Sequence, residues 1–344
     1  MDPAPNPGVS PDATRNDRDV LAYILRRVLY SIPVLLATSF LIFTFVSITG
    51  DPLARVRANP NITAGQLHAI EHSKNLDKPV VVRYVYWIRD AATKQFGTTL
   101  FGNRRIWPDL RRALGHSVEY LLTAIVLSVL LGVGIGVYSA LRQYSLFDYV
   151  ATTVSFVGFA LPGFWLALML QVAVVQIFLR WHIRVFYTSG LSSPTNAGHG
   201  FHFLVDRAQH LALPVIVVAT LSIASYSRYM RASMLEVLNS DFVRTARAKG
   251  LVERRVILRH AFRNALIPLV TVVALDFGQL FGGVITIETI FTLDGMGYYF
   301  INALQSSDPY PVMAWLMVLA TMVVTFNLIA DILYGVFDPR IRYD

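Results

Sequence analysis

Six stretches of this sequence run for twenty or more residues with at most one acid or base among them, and they limit what the chain can become. They are residues 28–49, 120–141, 149–179, 208–227, 264–287 and 309–330. At 1.5 Å of rise per residue, twenty helical residues cover about 30 Å, the thickness of a bilayer's hydrocarbon layer. Backbone polar groups inside that layer must be satisfied within the segment, so each stretch predicts a helix. The expected fold class is an all-α polytopic membrane protein with six transmembrane helices. Only 15% of the 344 residues are charged, against about 25% in soluble domains.

Two of the stretches carry marks of their own. The 31 residues of 149–179 exceed one straight span and fall short of two, and Leu161-Pro162-Gly163 interrupts them. A kinked helix, or a helix followed by an interfacial segment, is expected there. In 120–141, Gly132 and Gly136 stand four apart with Gly134 between them. Small residues at that spacing let helices approach closely, and bundle packing is the favoured reading over a role in a substrate path.

The remaining segments divide the chain. Residues 1–20, rich in Pro, Asp and Asn, predict a disordered cytoplasmic tail, and 21–49 the first transmembrane helix. Residues 50–117 form an extracytoplasmic loop. Residues 118–337 hold five further spans, and 338–344 a second cytoplasmic tail. With the N terminus inside, the cytoplasmic segments carry 16 Lys and Arg and the outer ones 14, of which 11 lie in the long loop. Orientation follows short loops and span ends rather than long loops, so both termini are expected in the cytoplasm.

The net charge of +8 matches the basic loops of a membrane protein; no zinc-ligand spacing or RNA-recognition signature points to nucleic acid. Without cysteine, disulfides and thiol chemistry are excluded. No G-x-x-x-x-G-K-[ST], H-E-x-x-H or G-x-S-x-G run occurs, so no catalytic, metal or cofactor-binding residue is expected.

Residues 241–266 read DFVRTARAKGLVERRVILRHAFRNAL. The pattern predicts two short helices joined at Gly250, with Ser240 or Asp241 capping the first. Such a basic pair suits either a groove on a soluble partner or an anionic lipid surface.

Arg244, Thr245, Ala246, Arg247, Ala248, Lys249, Gly250 and Leu251, followed by Leu258-Arg259-His260-Ala261 and Arg263-Asn264-Ala265-Leu266-Ile267-Pro268, resemble the cytoplasmic "EAA" loop of ABC importer permeases of the dipeptide, oligopeptide and nickel branch. Arg244 stands where the general motif has Glu. The likeness extends over nearly the whole chain: Tyr23-Ile24-Leu25-Arg26-Arg27, Gly50-Asp51-Pro52, Asn75-Leu76-Asp77-Lys78-Pro79, Phe96-Gly97-Thr98-Thr99, Ile287-Glu288-Thr289-Ile290-Phe291, Gly295-Met296-Gly297 and Asp338-Pro339-Arg340-Ile341-Arg342. Asp294 replaces a common Pro, and the outer segment 191–210 has no counterpart with a known role.

The resemblance implies a type I ABC importer transmembrane domain. In that family residues 240–263 would be the coupling segment, Ala246 allowing close contact and Gly250 making the turn. It implies a second homologous permease chain, two ATP-binding subunits that hold ATP and magnesium, and an extracytoplasmic substrate-binding protein that delivers a peptide. Nickel or glutathione is an alternative cargo, and a carrier driven by an ion gradient an alternative mechanism. The surface helix expected between Thr63 and Asn75 in the outer loop, with Tyr84, Tyr86 and Trp87, suits either docking of the binding protein or anchoring at the membrane interface. Asp276, an acid in mid-span, is costly unless paired or exposed to water. A hydrogen bond to a neighbouring helix is favoured for it over a contact to a substrate ammonium in the translocation path.

Overall fold

The computed structural model describes residues 11–337 apart from 50, 58–60, 101 and 195–199. Fourteen α-helices are found among them: α1 (Pro11–Thr49), α2 (Ala54–Arg57), α3 (Ala64–Ser73), α4 (Val80–Thr93), α5 (Ile106–Leu141), α6 (Leu146–Ala160), α7 (Gly163–Trp181), α8 (Phe201–Leu238), α9 (Asp241–Ala248), α10 (Glu253–Arg255), α11 (Arg263–Gly283), α12 (Ile285–Ile290), α13 (Met296–Ser306) and α14 (Pro309–Phe337). A π-helical turn, Val256–Phe262, joins α10 to α11. Among the described residues, six segments are long and apolar enough to cross a membrane: Ile24–Ile48, Ile106–Leu141, Gly163–Trp181, Phe201–Leu238, Glu253–Gly282 and Pro309–Leu333.

Several boundaries differ from expectation for one reason: a polar sequence continues a helix once it has left lipid. Helix α1 starts at Pro11, inside the tail expected to be disordered. Helix α5 starts at Ile106, so the last twelve residues assigned to the loop are helix; Ile106, Leu110, Ala113 and Ser117 on its inner face are buried. Helix α8 likewise runs to Leu238, eleven residues past the apolar run. The 149–179 stretch breaks where Pro162 caps α7. At 15 residues α6 reaches about 22 Å, too short to cross. The motifs at Gly50 and 338–342 lie wholly or partly outside the described residues.

Helices α5 and α8 form the central pair, and the glycines explain how. A Cβ on Gly132 would sit 2.9 Å from Tyr226 Cβ, and one on Gly136 2.6 Å from the Ser227 carbonyl oxygen and 2.7 Å from Met230 Cβ. A Cβ on Gly134 would meet nothing within 4 Å. Helix α11 approaches α14 in the same way, with Gly278 against Phe326 and Val323.

At the end of the bundle carrying the 50–105 loop, Glu288 of α12 is the organising side chain. It is fully buried and accepts from Ser117 Oγ (2.5 Å), Tyr120 OH (2.8 Å), Gly297 N (2.6 Å) and Tyr298 N (3.3 Å). The last two are amide donors of α13's first turn, left without partners inside the helix. Burial pushes the Glu288 carboxyl above the usual carboxylate range, against the pull of these four donors. The matching glycines follow: a Cβ on Gly295 would strike the carboxylate at 2.6 Å, and one on Gly297 would strike Ile285 Cα at 2.4 Å.

Two ion pairs mark the ends of the central pair of helices. Arg207 Nε and Nη2 of α8 donate to Glu119 of α5 at 2.9 and 2.5 Å. At the opposite end Arg231 donates to both Asp148 oxygens at 2.7 and 2.8 Å, and Ser139 also donates to Asp148. The segment 191–210 acquires a structural role: Ser193 donates twice to Asp206, and Tyr187 stacks on His210 at 3.9 Å. Asp331 pairs with Arg27 at 3.1 Å, joining α14 to α1.

The glycine geometry makes a paired prediction. Gly136→Ala is expected to lower the melting temperature of the detergent-solubilised protein by separating α5 from α8. Gly134→Ala is expected to leave it unchanged or to gain about 0.5–1 kcal/mol from the better helix former. Equal effects of the two substitutions contradict close packing at Gly136.

Candidate functional site

The segment after α8 forms a hook at the end of the bundle opposite the long loop. Ser240 holds the N-cap position of α9, but its hydroxyl donates back to the Val237 carbonyl at 2.6 Å and makes no cap bond. Helix α9 ends at Ala248, Lys249 is its C-cap, and Gly250 follows at φ +74°. Leu251 N reaches Ala246 O at 3.4 Å and Gly250 N reaches Arg247 O at 2.9 Å, the paired bonds of a Schellman motif. The expected turn at Gly250 is therefore present, with a specific reason for glycine.

Beyond the turn the chain departs from the expected second short helix. Helix α10 passes into the π turn and then into α11 without a break. The second arm of the hook and the fifth span are one continuous rod. A π turn accommodates an extra residue in the helical ladder and is frequent at functional sites.

The hook has two unlike faces. Val243, Ala246, Val256, Ala261, Ala265 and Leu269 are buried together with Tyr226, Met230 and Met234 of α8, and Leu251 packs against them. Ser233 Oγ of α8 donates to the Ala265 carbonyl at 2.9 Å, tying the root of α11 to α8. The outward face carries Phe242, Arg244, Thr245, Ala248 and Lys249, all exposed. Arg247 donates from Nη2 to Glu253 at 2.8 Å and from Nε at 3.2 and 3.3 Å, bracing α9 against α10 across the turn.

The eight expected site residues are thus adjacent in space but differ in exposure. Ala246 is only 6% exposed and packs into this chain's own core. Ala248 is the small residue on the outward face. Ala246 and Ala248 look alike in sequence; only the phase of α9 separates them.

Asp276 lies 26 residues beyond Gly250 along the sequence and is half-buried on α11. It interacts electrostatically with Tyr226 of α8. The buried Tyr226 hydroxyl has no hydrogen bond of good geometry among the described residues. Glu288, Glu119–Arg207 and Asp148–Arg231 received no role from the sequence. Their signal was position: Glu119, Arg207 and Asp148 each stand immediately before an uncharged run.

Comparison with known proteins agrees with this architecture. Residues 132–343 match the family described as binding-protein-dependent transport system inner membrane component, and residues 20–101 match that component's N-terminal region. The chain is 38% identical over 324 residues to the oligopeptide transport system permease protein AppB of Bacillus subtilis, covering 94% of this chain and 99% of the relative. It is 38% identical over 338 residues to the dipeptide transport system permease protein DppB of Alkalihalophilus pseudofirmus, covering 94% and 100%. It is 34% identical over 342 residues to DppB of Escherichia coli, covering 94% and 99%.

The two faces of the hook predict opposite outcomes for two neighbouring substitutions. Ala246→Glu buries an unpaired charge and is expected to abolish recovery of folded protein, a cost of several kcal/mol. Ala248→Glu is expected to leave the melting temperature of the isolated chain within about 1 kcal/mol of wild type. Gly250→Ala, at positive φ with nothing within 4 Å of its Cβ, is expected to cost about 1 kcal/mol. Equal tolerance at 246 and 248 contradicts the assigned phase of α9.

Proposed function

The chain belongs to the family of binding-protein-dependent transport system inner membrane components, and on that premise we propose that it is the translocation subunit of an ATP-driven importer of di- or oligopeptides. Permeases of this family are non-catalytic: energy comes from separate subunits, which hold ATP and magnesium. The working assembly pairs this chain with a second homologous permease, two ATP-binding subunits and an extracytoplasmic substrate-binding protein. The peptide cargo follows from the names of relatives whose full length this chain matches. Membership disfavours an ion-gradient carrier.

The observation that carries the mechanism is the hook. Its outward face, Phe242, Arg244, Thr245, Ala248 and Lys249, is exposed, while its inward face is locked into the bundle. A soluble subunit that grips the outward face when it closes on ATP moves α9. The Arg247–Glu253 brace and the unbroken run from α10 through the π turn pass that motion to α11. Helix α11 then shifts against α8 and α14 and alternates which end of the path is open, a two-state change driven by a partner's free energy. Asp276, half-buried on the moving helix, is our candidate in the translocation path, where an acid suits a peptide ammonium. Residues 50–105 face the outside and both termini the cytoplasm in this reading. The preference of Arg and Lys for short cytoplasmic segments supports that orientation.

The test is purification from native membranes with a C-terminal tag. Wild type is expected to bring down an ATP-binding subunit and a second permease. Thr245→Glu with Ala248→Glu is expected to lose the ATP-binding subunit while keeping the second permease. Recovery of wild type alone, or retention of the ATP-binding subunit by the variant, contradicts the coupling role. Uptake of labelled dipeptide, against nickel and glutathione, decides the cargo.

A further inference from the structure

Helices α6 and α8 lie antiparallel in close contact, and their register sets the depth of one arginine. Arg231 donates to Asp148 in the first turn of α6. Further along, Ser155 Oγ lies 3.0 Å from Ser227 Oγ, and a Cβ on Gly158 would sit 3.4 Å from Ala224 Cβ. Asp148 stands immediately before the uncharged run 149–179, so the Asp148–Arg231 pair marks where that run enters lipid. Arg228 is half-buried one turn away on α8. Its guanidinium carbon lies 5.2 Å from the centre of the Phe156 ring and 4.4 Å from that of Phe159. These two residues are eight and eleven positions past Asp148, about 12 and 16 Å along α6. The Arg228 backbone itself is only about 4.5 Å beyond Arg231. The side chain therefore extends away from the hook end, into a hydrocarbon layer whose half-thickness is about 15 Å.

The donors of this arginine are incompletely used. Nε donates to the Ala224 carbonyl of its own helix at 3.1 Å. Among the described residues no acid pairs with Arg228 and no acceptor takes its two Nη groups; the nearby Asp148 is held by Arg231. The Phe156 and Phe159 rings stabilise the cation through their faces and leave its N–H groups free. Both rings are exposed, at 57% and 61%, so the guanidinium lies at an open surface of the chain. The adjoining cleft adds the hydroxyl-bearing side chains Thr152, Ser155 and Ser227. An arginine that serves lipid phosphates snorkels to the nearer interface; this one extends the other way. A cation held at that depth belongs to a water-filled path or to an anionic partner.

We infer that Arg228 receives the C-terminal carboxylate of the peptide in the translocation path. The planar fork of a guanidinium meets a carboxylate with two parallel hydrogen bonds, and the Nη groups it would use are the unoccupied ones. A carboxylate at the C terminus is the anionic group that free linear peptides share whatever their side chains, so one fixed arginine serves cargo of varied sequence. Phe156 and Phe159 offer apolar surface to the adjoining part of the peptide. Tyr226, the neighbour of Asp276, stands two residues from Arg228 and about 200° around α8, so this contact is separate from the one proposed for Asp276. The inference rests on the peptide reading proposed above.

The experiment uses the complete importer with its binding protein in liposomes, the other subunits made free of cysteine. This chain has none, so Phe159→Cys places a single thiol beside the guanidinium. It is offered an anionic and a cationic thiosulfonate reagent of matched size on both sides of the membrane at low salt, with and without ATP. The anionic reagent is expected to react at least fivefold faster; Arg228→Gln is expected to abolish that preference and Arg228→Lys to keep it. No reaction with either reagent means a face covered by lipid or protein, and reaction without anionic preference means a charge already neutralised by a partner's acid; each overturns the site. The comparison of reagents is made with Arg228 intact, so misfolding of Arg228→Gln does not rescue the proposal. In dialanine uptake, Arg228→Gln is expected to lower kcat tenfold or more while KM, set by capture on the binding protein, stays within twofold, and Arg228→Lys is expected to restore part of the rate. Undiminished uptake in Arg228→Gln overturns the carboxylate contact and leaves the peptide reading intact. Anionic preference in a wild-type importer that takes up no peptide keeps an anion site and overturns the peptide reading, and with it the assignment to a peptide carboxylate.

Discussion

The contact between α5 and α8 at Gly132 and Gly136 is the joint on which the other packing depends. Between helices in lipid the hydrophobic effect gives little, because the hydrocarbon around them is as apolar as their side chains. Association must come from close van der Waals contact, and that requires backbones to approach. With no side chain in the way, Tyr226, Ser227 and Met230 of α8 settle directly onto α5. The same Tyr226 and Met230 form the floor on which the hook packs. One small-residue contact therefore sets the separation of the central pair and the seat of the segment offered to a partner.

Charge is used where this packing ends. Glu119–Arg207 and Asp148–Arg231 clamp α5 or the α5–α6 corner to α8 at opposite ends of the bundle. Glu288 does for α13 what a terminal capping residue does for a soluble helix, from a residue in the preceding helix. The two ion pairs spare the chain an unpaired charge in a poorly solvating environment, an arrangement the bilayer penalises heavily, and Glu288 has its oxygens occupied by four hydrogen-bond donors. The sixth span is tied similarly, Asp308 receiving Leu100 N at 2.6 Å and Tyr310 N at 3.0 Å.

Much of the fold was legible in the sequence because the solvent is so selective. An uncharged run of twenty residues has few other fates than a span, and Leu161-Pro162-Gly163 announced its break. Gly250 announced its turn. Less legible was anything decided by phase or by distant partners. The pattern RTARAKG presents Ala246 and Ala248 as equivalents, yet one is core and one is surface. The continuity of α10, the π turn and α11 was hidden because the charges at Arg254, Arg255, Arg259 and Arg263 set the expected second short helix apart from the uncharged run that begins at Asn264. Glu288 was visible only as part of a resemblance, since its four donors come from α5 and from residues nine and ten positions away.

The chain's lack of cysteine permits a direct measurement of the central claim, that α9 presents one face to a partner and keeps the other for its own core. Single cysteines at Ala248 and at Val243 in the assembled complex would be offered a short thiol-to-amine cross-linker. The account predicts that the Ala248→Cys chain is captured by an ATP-binding subunit, with a yield that changes when ATP is added, and that the Val243→Cys chain is not. Capture from Val243 and not from Ala248, or from neither, would mean that the hook is a structural corner and that coupling runs elsewhere.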